Sequence, residues 1–183
     1  ALRQTSSDDE DCFLRTQLPP VYSELGGQGC NPIDASLQPG GSISGSCISV
    51  AAGFCHAAIG TETHGSIVMP AIACGVVGIK PSVGLVSRDG VIPISHSLDT
   101  PGAIAQSLSQ AAKLLEAICG TDPNDVATED CPEKIVFQTD LGEDKSLIRL
   151  ALLVPNHRAF DYEEKSILTQ LIHDCKTQII TIP

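Results

Sequence analysis

Apolar and polar residues fall in short blocks along this chain, and each block predicts an element. "SGSCISVAAGFC" (44–55) is small and apolar and predicts a helix packed closely against its neighbours. "HAAIG" (56–60) predicts a short buried strand, and "TETHGS" (61–66) a loop. "IVMPAIACG" (67–75) predicts a short helix, with Pro70 tolerated in its first turn. "GVVGIKP" (75–81) predicts a buried strand ended by Pro81. The passage 82–102, "SVGLVSRDGVIPISHSLDTPG", is rich in turn residues and predicts no element. "QSLSQAAKLLEAICG" (106–120) places Leu108, Ala112, Leu115 and Ile118 on one helical face, with Gly120 as the stop. "GTDPNDVATEDCPEK" (120–134) reads as a surface loop. "SLIRLALLVP" (146–155) predicts a strand. "YEEKSILTQLIHDC" (162–175) predicts a helix with Ile167, Leu168, Leu171 and Ile172 on one face, and "TQIITIP" (177–183) a closing strand. Strands and helices alternate, so the expected class is α/β, layered. No internal repeat is present.

Composition sharpens this picture. A length of 183 residues fits one domain or part of a larger one. Residues 1–20 carry an acidic run and turn residues and are expected to be a poorly structured or truncated N-terminal segment. Residues 21–183 are expected to form a partial domain, because the last strand ends where the chain ends. The chain is 42% hydrophobic but only 3% aromatic, without tryptophan, so its core is aliphatic and built from small side chains. A net charge of −11 argues against nucleic acid and against an anionic membrane as partner. The sequence has no apolar run of about 18 residues and no visible signal peptide, so a cytoplasmic location is expected. Eight cysteines form no C-x-x-C pair and no Cys/His cluster with zinc spacing. Cys47, Cys55, Cys74 and Cys119 lie in apolar segments and read as buried free thiols. No metal and no cofactor is expected, since no phosphate-binding G-x-x-x-x-G-K-[ST] occurs.

The candidate chemistry lies in two glycine- and serine-rich loops, "PGGSISGS" (39–46) and "GTETHGSIVMP" (60–70). One serine can cap the helix that follows the first loop, and Ser44 or Ser46 is expected to do so. The others are surplus. The two loops, followed by "GVVGIKPS" (75–82) and "SLDTPG" (97–102), occur in an order that resembles the amidase signature family. "GGQGCNP" (26–32) and "GTDPNDVAT" (120–128) resemble the branch of that family found in plants and fungi. The resemblance runs from about residue 24 to the C-terminus.

The resemblance implies part of the amidase-signature fold, a mixed β-sheet flanked by helices. It implies hydrolysis of the C–N bond of a small-molecule carboxylic amide. It makes Ser66 the nucleophile and Ser42, after a cis peptide bond, the proton relay, with the family's interval of 24 residues between them. The backbone N–H groups of Thr63, His64, Gly65 and Ser66 would form the oxyanion hole, helped by the positive end of the following helix. A serine hydroxyl needs a base to become a nucleophile. In the family that base is a lysine upstream of the relay, made neutral by burial. The first lysine of this sequence is Lys80, at the end of the "IKP" strand, where a structural role is expected. The chain as it stands therefore lacks the base. Two alternatives follow: a truncated, inactive relative acting as a binding or structural module, or a transamidase subunit. The expected partners are the amide substrate and either the missing parts of the domain or another protein. Ile43 stands where the family has serine. His64 stands where it has Gly or Asp, and reads as an exposed loop histidine.

Overall fold

A computed structural model describes residues 21–137, 151–155, 166, 170 and 178–182. These fall into two compact units divided after residue 139. Residues 1–20 lie outside the described residues.

The first unit opens with a small antiparallel ribbon, β1 (Tyr22–Ser23) and β2 (Gly27–Gln28). Next come α1 (Ser44–Ala51), β3 (Ala57–Glu62), α2 (Val68–Ala73), β4 (Val77–Ile79), β5 (Thr100–Ala105) and α3 (Leu108–Ile118). The sheet runs β3-β5-β4, antiparallel throughout. Its central strand, β5, begins inside the passage 82–102 expected to be irregular and runs on to Ala105. Every residue of β5 is buried, which explains its small side chains, TPGAIA. Alternate residues serve opposite faces. Ile104 joins Cys47, Val50, Ile67, Ala71 and Cys74, the core shared with α1 and α2. Ala103 and Ala105 join Val86, Ala111 and Leu115, the core shared with α3. The unit is thus a three-layer α/β/α arrangement around an unusually slim strand.

Pro101 is tolerated within β5 because β4 pairs only with Ala103–Ala105, leaving Pro101 with one neighbouring strand. Gly102 is required by proximity. A Cβ there would sit 2.2 Å from the Ile79 carbonyl oxygen and 2.8 Å from Ile67 Cδ1.

Several boundaries differ from expectation. β3 extends to Glu62 because its pairing with β5 continues through Thr61–Pro101 and Glu62–Thr100. Ile59 on it is half exposed, so this strand is not wholly buried. α1 ends at Ala51, and Gly53 turns the chain with a φ of +75°. Neither Ser44 nor Ser46 caps it. The N-cap is Ile43, with no side-chain bond; Ser44 is buried and Ser46 Oγ donates to the Ile59 carbonyl at 3.0 Å. In α3 the buried face is Ala111, Ala112 and Leu115, while Leu108 is exposed, and Ser107 caps the first turn through Gln110 N at 3.3 Å.

The stretch 120–134 is more than a surface loop. It contains a short 3-10 helix, Val126–Thr128, and buries Asp125, Thr128 and Cys131. Arg88 grips Asp125 with Nε at 2.9 Å and Nη2 at 2.8 Å, a bidentate pair. This hydrogen bonding holds the Asp125 carboxyl well below the usual carboxylate range. The cysteines at 30, 47, 55, 74, 119 and 131 are all free thiols. Cys47 and Cys74 are buried as expected, whereas Cys55 and Cys119 are only half-buried.

In the second unit β6 (Ala151–Pro155) pairs in parallel with β7 (Gln178–Ile182). Both strands fall where the sequence predicts them. Ser166 and Gln170 are helical; the rest of the predicted helix 162–175 lies outside the described residues. No helix among the described residues is long and apolar enough to cross a membrane.

Candidate active site

Three segments converge at one end of the antiparallel sheet. The first is the glycine turn leading into α1, which carries Ser42. The second is the loop between β3 and α2, which carries Thr63–Ser66. The third is the passage before β5, which carries Val91–Asp99. Together Ser42, Thr61, Thr63, Ser66, Val91, Ile92, Ile94 and Asp99 line one cleft.

The first segment approaches its neighbours closely. Gly40 has a φ of +70°, and a Cβ there would lie 3.0 Å from Pro70 Cα, so only glycine lets the turn lie on α2. The Gly41–Ser42 peptide is cis. The next residue, Ile43, donates its N–H to the Ser66 carbonyl at 3.1 Å, which ties the two serine segments together. Its side chain also covers β3, since a Cβ on Gly60 would meet Ile43 Cγ2 at 2.5 Å. Isoleucine at this position therefore fills a packing site. Asn31, within "GGQGCNP", anchors the preceding stretch: its Nδ2 donates to the Ala73 carbonyl at 2.7 Å and its Oδ1 accepts from Ile33 N at 2.9 Å.

The second segment is fixed at both ends. Glu62 is buried, and its Oε2 accepts from Ile67 N at 2.7 Å and Val68 N at 3.0 Å. These are the N–H groups that open α2, so the carboxylate consumes the positive end expected to serve the oxyanion hole. α2 is also only six residues long. Ile67 is fully buried and plugs the core beneath the loop. Gly65 turns with a φ of +82°. The backbone N–H groups of Thr63, His64, Gly65 and Ser66 donate to no other described residue. The side chain of His64 is exposed and does not line the cleft.

The third segment contributes Asp99. Burial opposes its charge, but hydrogen bonds from Thr63, Ile94 and Ser95 outweigh this and hold its carboxyl below the ordinary value. The Thr63 hydroxyl donates to Asp99 Oδ1 at 2.5 Å. Ile94 N and Ser95 N donate to Oδ2 at 2.7 Å and 2.9 Å. Ile92 and Ile94 are 92% and 81% exposed, so this wall of the cleft is apolar and open. The sequence motifs contain Glu62, Thr63 and Asp99, but no spacing rule links residues 36 positions apart.

Lys80, Lys113 and Lys134, the lysines among the described residues, do not line the cleft. Among the described residues no three His, Cys, Asp or Glu side chains are placed to hold a metal ion.

The family profile described as Amidase matches residues 9–173. This chain belongs to the amidase family. It is 50% identical over 123 residues to a probable amidase of Arabidopsis thaliana, covering 67% of this chain and 24% of that protein. It is 46% identical over 123 residues to a glutamyl-tRNA(Gln) amidotransferase subunit of Prochlorococcus marinus, covering 67% of this chain and 25% of that one. Among solved structures it resembles the native peptide amidase of Stenotrophomonas maltophilia. That match has a TM-score of 0.75 at 42% identity, over 88% of this chain and 34% of that one. This amidase chain therefore spans about a quarter of the length of the two curated relatives.

Proposed function

We propose that this chain carries the nucleophile, relay and oxyanion-binding loop of a hydrolase that cleaves a carboxylic amide. The observation that supports the reading best is the shared cleft, which Ser42 and Ser66 both line, beside a loop whose N–H groups donate to no other group among the described residues. In this mechanism Ser66 Oγ attacks the amide carbonyl carbon. Its proton passes to Ser42, whose own proton passes to a base. The carbonyl π electrons move onto oxygen, and the N–H groups of Thr63, His64, Gly65 and Ser66 hold the negative charge. Collapse expels the amine or ammonia, which takes up a proton from the relay, and leaves an acyl group on Ser66. Water, deprotonated by the same route, then frees the acid and restores Ser66.

The base is not a lysine of this cleft, so turnover requires a proton acceptor outside the described residues. The small-molecule amide then reaches a site completed by residues outside the described ones. Two readings share the geometry. The similarity to an amidotransferase component supports transfer of the released ammonia to a second acceptor. A cleft whose lining is hydroxyl, carboxylate and apolar, with its lysines elsewhere, supports a non-catalytic amidase-like module.

The test is covalent capture. The protein purified from its source, with the base it carries there, is treated with an alkyl fluorophosphonate, which reports an activated serine without requiring turnover, and the modified peptide is identified by mass. Modification at Ser66, lost in Ser66→Ala, is the expected result. Modification of another serine, or none, would refute the assignment. Turnover of simple amides with ammonia release then separates hydrolase from module.

A further inference from the structure

Asp99 stands one residue before β5, at the point where the open 82–99 passage enters the sheet. The residue is only 5% exposed, yet it lines the cleft. A buried carboxylate persists only where donors satisfy it. Here they come from two directions, and each oxygen serves one. Oδ1 receives the Thr63 hydroxyl from the loop that ends in Ser66. Oδ2 receives the Ile94 and Ser95 N–H groups from the apolar wall. One side chain thus joins both walls of the cleft.

Resting on the reading of Ser66 as nucleophile, we infer that Asp99 is a positioning residue for the amidase reaction. Through Thr63 it orients the Thr63–Ser66 N–H groups toward the oxyanion. Through Ile94 and Ser95 it sets the apolar wall that receives the substrate's carbon chain. The two arms have separable consequences. Oxyanion donors act only where charge develops, so the Oδ1 arm governs the chemical step. The wall contacts substrate before and during reaction, so the Oδ2 arm governs binding. Asp99 is not placed as the base, because Thr63, and not Ser66, lies against Oδ1.

The experiment measures fluorophosphonate capture of Ser66 in the purified protein, resolved into a binding constant and a maximal rate. Thr63→Val replaces the hydroxyl by a methyl of the same shape and cuts only the Oδ1 arm. It is expected to lower the maximal rate about tenfold, well within what a displacement near 1 Å costs, with the binding constant unchanged. Thr63→Ser keeps the hydroxyl and is expected to restore the rate. Asp99→Asn sets an amide N–H against existing donors and is expected to impair both constants. Should Asp99→Asn fail to fold, the Thr63 pair still decides. An unchanged rate in Thr63→Val, a loss confined to binding, or no recovery in Thr63→Ser would overturn this inference alone. A wild-type protein whose Ser66 is not captured would overturn the proposed function, and this inference with it.

Discussion

Gly102→Ala isolates the geometric demand that makes β5 possible. The added Cβ would lie 2.2 Å from the Ile79 carbonyl oxygen. A carbon and a carbonyl oxygen come no closer than about 3.3 Å in ordinary sheet contacts. β4 and β5 would therefore have to part by about 1 Å where they pair, while Ile67 Cδ1, at 2.8 Å, blocks movement the other way. The Ile79 oxygen is backbone and cannot rotate aside. Overpacking of this kind costs roughly 1–3 kcal/mol, and a backbone clash in a central strand belongs at the upper end. With a urea slope of about 2 kcal/mol per molar, a loss of about 3 kcal/mol lowers the unfolding midpoint by roughly 1.5 M. Far-UV circular dichroism follows the transition without needing tryptophan. Gly53→Ala is the control. No atom lies within 4 Å of its Cβ position, but φ is +75°, so it carries only the left-handed backbone penalty. That penalty is about 1 kcal/mol, or roughly 0.5 M in urea. A midpoint shift in Gly102→Ala no larger than in Gly53→Ala would refute the argument from proximity.

Two further outcomes follow from the charge environments. The depressed carboxyl of Asp125 adds stability above the unfolded-state value near 4 and loses it as pH falls below about 4 toward the folded value. A series of melting temperatures from about pH 6 to 2.5 should therefore fall less steeply in Asp125→Asn than in wild type, and parallel curves would contradict the Arg88 pairing. Desolvation, reinforced by the neighbouring Cys74, pushes the Cys47 thiol up to about 12. Peptide mapping after mild alkylation of the native protein should find Cys30, which is exposed, modified and Cys47 untouched. Equal modification of the two would mean that the α1–α2 core opens readily.

The helices were legible because their signal is local. α3 carries Ser107 at its cap and a 3.6-residue period, although its buried stripe is centred on Ala111 rather than Leu108. β5 was hidden for the opposite reason. Burial on both faces selects small residues, close approach selects Gly102, and a gap in pairing admits Pro101, so the strand reads as a turn. The clamp between Arg88 and Asp125 was hidden because its partners lie 37 residues apart. In the site, the ordered motifs marked Ser42 and Ser66, and both line the cleft. Glu62 and Asp99 stood inside those motifs, but what each carboxylate binds is set by how β3, α2 and β5 pack, which no linear pattern encodes.

Those two carboxylates bear on the chemistry that remains. Glu62 and Asp99 flank the Thr63–Ser66 loop, and both are buried. In many sites such groups would be the first candidates for a general base. Here the Glu62 oxygen accepts two backbone N–H groups at the start of α2. Asp99 accepts three donors and is held below its ordinary value, which makes it a poor proton acceptor at neutral pH. Both acids are thus engaged by donors of the loop or of the segments that flank it. In the proposed mechanism Ser66 passes its proton through a group without charge; Ser42, Thr61 and Thr63 all bring hydroxyls to the cleft, and the Thr63 hydroxyl is given to Asp99. A hydroxyl relay does not store a proton, so it works only with an acceptor beyond it. The engagement of these two carboxylates beside the loop therefore argues, for the mechanism proposed above, for a base other than carboxylate.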